Sequence, residues 1–238
     1  MLLPIKDNQP TVRFPHLTVG LIFINTAIFL YSQTLGQKGY TAFIYDWGFV
    51  PFLFFDGGAT YHVEAWLYAT PLTYMFLHGG WMHLIGNMLF LWIYGNNIED
   101  YFGPVRYLFF YIVSGLAAVA LHTLFGPGSQ APLVGASGAI AGVMGAYMVL
   151  HPKAEITCLL FFGFIWFLRL SAKFVLGYFF VYQIFNILLG GPTGGGTAWL
   201  AHVGGFIFGY ALMKLLVKAR GRRSMVAADQ DRTYRMHW

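Results

Sequence analysis

The 238 residues are 58% hydrophobic and only 10% charged, with a mean hydropathy of +0.60. A soluble globular domain carries about 25% charged residues, so that class is excluded, and the long apolar blocks specify an all-α polytopic membrane protein. The net charge of +5 comes from cations near the ends of those blocks, which points to membrane topology and away from nucleic acid; the single cysteine, Cys158, leaves no intramolecular disulfide and no Cys-x-x-Cys site.

In chain order, residues 1–16 form a polar leader with Lys6 and Arg13, without the short apolar core and cleavage site of a signal peptide, and are read as unprocessed. A first span covers about 17–35. The connection 36–71 holds Lys38, Asp46, Asp56 and Glu64 and many aromatics (Tyr40, Phe43, Tyr45, Trp47, Phe49, Phe52), a composition that settles in the membrane interface. The second span runs over about 77–98 and ends at Glu99-Asp100, with a turn at Gly103-Pro104. The third covers about 105–124, closed by Gly126-Pro127-Gly128, and the fourth about 134–150, stopped at Pro152. Residues 156–168 are about 13 apolar residues, short of the roughly 20 that cross the hydrocarbon core, and are read as interfacial or re-entrant. After Arg169 and Lys173 comes a fifth span over about 174–189, then a Gly-rich loop at 190–196 and a sixth span over about 198–217. The basic tail 218–238 follows.

Charge selects six spans over seven. With six, both termini are cytoplasmic, and that side collects Lys6, Arg13, Arg106, Lys153, Arg169, Lys173 and the tail cations, leaving Lys38 outside. Spans two, four and six then run in the same direction, so His78, His83, Asn87, Ser137 and His202 all fall in the outer half of the membrane.

Serine becomes a nucleophile when a base within hydrogen-bond reach takes its proton. Ser137 opens the small-residue stretch Gly135-Ala-Ser-Gly138, and His202 shares a face with Gly205 and Gly209 by its i, i+3, i+7 spacing. Small residues on both helices permit the close approach that a Ser–His hydrogen bond needs. Read alone, the glycines are packing positions and His202 a carbonyl-bonded packing residue; an intramembrane histidine facing the bundle favours the dyad. His83 and Asn87, at i and i+4, present side-chain donors for an oxyanion. Zinc is the rival for His78 and His83, but the His-Glu-x-x-His spacing and a third ligand are missing, so no metal and no cofactor are assigned. His122 and His151 read as helix-end residues, and no carboxylate stands where it would orient His202.

These residues resemble the rhomboid family of intramembrane serine proteases. The matching pieces are His78-Gly-Gly-Trp-Met-His83-Leu-Ile-Gly-Asn87, Gly95-Asn-Asn-Ile-Glu-Asp100, Gly135-Ala-Ser137-Gly138 and Ala201-His202-x-x-Gly205-x-x-x-Gly209, in the family's order and on its six-span plan over about 17–217. The resemblance implies that Ser137 is the nucleophile, His202 its base, His83 and Asn87 oxyanion donors, and His78 a residue that holds the long loop or span two in place. It also implies that the substrates are transmembrane segments of other proteins, cut near the outer leaflet. The lipid bilayer is the other partner, and no oligomeric state follows. Two positions depart from the family: Ala141 stands where an aromatic often packs against the histidine, and Tyr68-Ala-Thr-Pro71 where the loop often has Trp-Arg. The aromatics of span five (Phe174, Tyr178, Phe179, Tyr182, Phe185) either face lipid or line a lateral opening for substrate. The minimal six-span size, without extra domains or a transit peptide, points to a bacterial inner membrane. The alternatives to a protease are a non-catalytic rhomboid-like client-binding protein and a small proton-relaying transporter, the latter lacking an internal repeat.

Overall fold

The computed structural model describes residues 2–55, 65–190 and 198–235. Strand β1 (Leu2–Asp7) precedes α1 (His16–Thr34), α2 (Gly36–Trp47) and α3 (Pro51–Phe55); short helical turns over Ala65–Ala69, Thr70–Thr73 and Tyr74–Phe76 lead into α4 (Trp81–Phe102). Then follow α5 (Pro104–Phe125), α6 (Ser137–Leu150), strands β2 (Glu155–Phe162) and β3 (Phe164–Ser171), α7 (Ala172–Gly190) and α8 (Trp199–Arg235).

The protein is mostly helical, an integral membrane fold built on α1, α4, α5, α6, α7 and α8. Four of these, α1, α5, α7 and the 199–220 part of α8, are long and apolar enough to cross a membrane. Their outward faces stay apolar, with Phe23 and Tyr31 on α1, Phe109 and Leu124 on α5, and Phe174 and Leu188 on α7 all exposed, as lipid contact requires. Of the other two helices, α4 exposes Trp81, Met82, Ile85 and Trp92 but buries Asn87, Asn97 and Glu99, and α6 buries ten residues, from Gly138 to Tyr147. At about 1.5 Å per residue, the 14 residues of α6 span about 21 Å, well under a hydrocarbon core of about 30 Å.

Glycine sets how closely α8 approaches α6. A Cβ on Gly205 would run into the carbonyl of Gly138, and one on Gly209 into the carbonyl of Gly142. The positions of α6 that face α8 are therefore Gly138 and Gly142, joined by Gly145, where a Cβ would run into the carbonyl of Phe206.

Three departures from the sequence reading stand out. Residues 156–168, read as interfacial or re-entrant, take strand form: β2 and β3 form an antiparallel hairpin from Glu155↔Ser171 to Phe162↔Phe164, turning at Gly163 with φ +70°. Too short to cross as a helix, the run satisfies its backbone across the pair instead. The leader contributes β1, which pairs antiparallel with β2 (Leu2↔Leu160, Asp7↔Ile156) and makes the all-helical description incomplete by a three-stranded sheet in the order β1-β2-β3. Ile156 and Cys158 are fully buried, whereas Phe164, Ile165, Trp166 and Phe167 at the other end are exposed. Lastly, α8 continues without a break through the basic tail to Arg235. Asp56, Glu64 and residues 191–196 of the glycine-rich loop lie outside the described residues.

Carboxylates fasten the first helix. Glu99 accepts from the backbone N–H of Leu17 (2.9 Å) and Thr18 (2.8 Å) and from the Thr18 hydroxyl (2.8 Å), satisfying amide groups that a helix N-terminus leaves free. Asp100 does the same for Val12 and Arg13.

Candidate active site

Ser137 is the first residue of α6, so its own N–H has no partner inside the helix. The chain reaches it along an extended segment pinned to the long connection: Phe49 and Leu133 exchange two backbone hydrogen bonds (3.0 and 2.8 Å), and the Gly135 N–H donates to the Tyr74 carbonyl at 2.9 Å. The connection is thus ordered around the serine, with Tyr40 donating to the His78 carbonyl at 3.0 Å and Thr73 to the Trp47 carbonyl at 2.6 Å. These contacts anchor the connection in a chain that lacks the Trp-Arg pair.

His202 lies in the first turn of α8. Its Nε2 is 2.8 Å from Ser137 Oγ, across the glycine-lined joint of α6 and α8. Its Nδ1 is 2.9 Å from Gln183 Oε1 on α7. The ring is confined by Trp199, edge-on at 6.2 Å and 87°, and by Phe179, at 6.2 Å and 35°. Support for the imidazole therefore comes from α7 and from α8 itself, which explains how the fully buried Ala141 can occupy an aromatic's place.

Both candidate donors on α4 converge on Gly135. That residue has φ +121°, a conformation natural to glycine, and a Cβ there would stand 2.7 Å from His83 Nε2 and 3.5 Å from Asn87 Nδ2. His83 Nδ1 accepts weakly from the Gly79 N–H at 3.4 Å, which leaves Nε2 as the protonated nitrogen on the Gly135 side. The amide nitrogen of Asn87 is buried and has no hydrogen-bond partner. His78 is buried with its ring edge-on to His83, centroids 5.2 Å apart, and among the described residues no cluster of three His, Cys, Asp or Glu gathers there.

A cavity of about 730 Å³ opens over these groups, lined by His83, Asn87, Ser137, His202 and the segment 131–134. His122 also lines it, with its Nδ1 buried and unpaired. Sequence reasoning left His122 at a helix end, and it passed over Gln183, a lone amide among aromatics. Of the span-five aromatics, Phe179 and Phe180 turn inward onto Phe206, while Phe174, Tyr178, Tyr182 and Phe185 are exposed.

A serine hydroxyl bonded to an imidazole, with unspent donors facing it inside an apolar bundle, is an arrangement suited to acyl transfer. The Rhomboid domain model matches residues 65–219, more than half of the sequence. The chain belongs to the rhomboid family. Among its relatives, RHOMBOID-like protein 6, mitochondrial, from Arabidopsis thaliana is 42% identical over 77 residues, 32% of this chain and 24% of the plant protein. Rhomboid protease GluP from Bacillus subtilis is 38% identical over 85 residues, 36% of this chain and 16% of the relative. Rhomboid protein 1, mitochondrial, from Saccharomyces cerevisiae is 29% identical over 163 residues, 64% of this chain and 44% of the yeast protein. This rhomboid thus spans about a quarter of the length of the plant protein it matches.

Proposed function

We propose that this rhomboid is a serine endopeptidase that cuts transmembrane segments of other proteins, with Ser137 as nucleophile and His202 as general base. The observation that carries the reading is the 2.8 Å contact between Ser137 Oγ and His202 Nε2 on the wall of the cavity. Nε2 takes the hydroxyl proton as Oγ attacks the scissile carbonyl carbon, and the carbonyl oxygen gains negative charge. His83 Nε2–H, Asn87 Nδ2–H and the Ser137 N–H are the donors for that oxygen. The tetrahedral species collapses when His202 returns its proton to the leaving amine, and water then attacks the acyl-serine with the same base. A substrate helix has to unwind locally to present its carbonyl, so small or polar residues near the cut favour cleavage.

Orientation belongs to the same proposal. All six bundle helices cross the membrane, both termini are cytoplasmic, and the cavity opens outward, because the cations then gather on the inner side. Residues 17–217 form the catalytic unit between the leader and the tail, with the bilayer and transmembrane substrates as partners. The Ser–His contact argues against a non-catalytic client-binding role. Wild type, Ser137→Ala and His202→Ala are compared on a single-span reporter in liposomes: cleavage by wild type alone is expected, and equal cleavage by all three ends the protease reading.

A further inference from the structure

His202 can accept the serine proton only if its Nε2 carries a lone pair, which in a neutral imidazole requires the hydrogen on Nδ1. Something must favour that tautomer. The aromatic neighbours Trp199 and Phe179 confine the ring but offer no acceptor to Nδ1, and among the described residues no acidic side chain is bonded to it.

Gln183 supplies the acceptor. It is 2% exposed, in the middle of α7, and its side chain makes two hydrogen bonds. Its Nε2 donates to the Phe179 carbonyl at 3.2 Å, one turn back along the helix, and its Oε1 lies 2.9 Å from His202 Nδ1. The first bond fixes which way the amide faces, because a flipped amide would set its oxygen against a carbonyl and its NH2 against Nδ1. With the oxygen toward His202, only an Nδ1–H completes the pair.

Resting on the protease reading, we propose that Gln183 is a positioning residue that holds His202 in the Nδ1–H tautomer, with Nε2 turned to Ser137. A neutral amide does this without placing a second charge in the bundle, where an isolated carboxylate would be costly. The arrangement also makes the base depend on α7. That helix is the least buried of the four long apolar ones. A shift of α7 by about 1 Å takes the Gln183–His202 pair out of hydrogen-bond range, so the dyad is set for reaction only while α7 is seated.

The test uses the full chain as wild type, Gln183→Leu and Gln183→Glu. Gln183→Leu keeps bulk and loses the acceptor; Gln183→Glu keeps an acceptor oxygen in either protonation state. With a single-span reporter in liposomes, Gln183→Leu is expected to lower kcat on the order of 100-fold, at the low end of what a positioned general base contributes, with KM unchanged. Gln183→Glu is expected to recover most of the rate. Equal loss in both variants, or a loss carried by KM, overturns the proposal. Nitrogen-15 shifts of the His202 ring in detergent micelles supply a readout that needs no turnover: the Nδ1–H form in wild type, and a mixture of tautomers in Gln183→Leu. A dominant Nε2–H form in wild type overturns the proposal even if the enzyme cleaves, whereas the Nδ1–H form in a chain that cleaves nothing would count against the protease reading alone.

Discussion

The buried polar groups of the bundle are used differently toward the two ends of α4. Beside α1 and β1, the carboxylates are committed: Glu99 accepts three hydrogen bonds from the start of α1, and Asp7 accepts from Tyr147 (2.6 Å) and Asn97 (3.0 Å). At the cavity end, Asn87 Nδ2, His122 Nδ1 and both ring nitrogens of His78 are buried without partners, as are the hydroxyls of Tyr94 and Tyr107 farther along. A buried unpaired polar group costs about 1–3 kcal/mol, so the cavity end is kept polar at the expense of stability. The carboxylate end holds the first helix and the first strand in place; the cavity end keeps donors in reserve for a visiting carbonyl.

The difference can be broken by mutation, starting with the largest effect. Asn87→Ala removes a donor that has no partner, so kcat is expected to fall about 100- to 1000-fold, as for loss of one oxyanion donor, with the melting temperature unchanged. A matching drop in melting temperature would make Asn87 a structural residue like those at the carboxylate end. Glu99→Ala should do the opposite, costing about 3 kcal/mol of stability by stranding two backbone amides and a hydroxyl. Denaturant unfolding in detergent measures this, and a loss below about 0.5 kcal/mol would remove Glu99 from the stabilising set. Gly209→Ala acts between the two ends, on the α6–α8 joint, and both stability (about 1–3 kcal/mol) and cleavage should fall together. Cleavage retained at full rate with normal stability would show that the joint tolerates a wider spacing.

The smallest effect belongs to Asp7. Burial raises its pKa above the ordinary 3.8, against the pull of the Tyr147 hydrogen bond. A carboxyl with a raised folded pKa contributes stability that is full below about 3.8 and is lost as pH rises through the folded value. Asp7→Asn should therefore melt higher than wild type at pH 7, with the gap closing below about pH 3.8. A gap that widens on acidification would reverse the sign of this argument.

Much of the helix bundle was legible because apolar blocks and their flanking cations are local features. Ser137, His202, His83 and Asn87 were legible as types at helix positions, and the structure brings their side chains around one cavity. The sheet was not. Only the base of the β2–β3 hairpin alternates (Glu155 and Thr157 against Ile156 and Cys158, Arg169 and Ser171 against Leu168 and Leu170); residues 159–167 are apolar on both faces, so the alternation is too short to mark the strands, and the partner β1 lies about 150 residues earlier in the chain, beyond any local signal. Gly163 was the one available cue, a glycine inside an apolar run. Gln183 escaped for a related reason: which face of α7 points inward is decided by packing on α8, and a helix apolar all round does not disclose it.

The paired backbone bonds between Phe49 and Leu133 carry a mechanical consequence. They make the aromatic connection and the segment bearing Gly135 one piece, and aromatic side chains of that connection favour the headgroup layer. The bilayer itself then has a handle on the reactive centre: where the headgroups settle relative to the bundle shifts the strand that presents the serine. Cleavage rates measured in phosphatidylcholine liposomes of increasing acyl length should pass through an optimum, and a flat series would mean that the strand hangs free of the membrane surface.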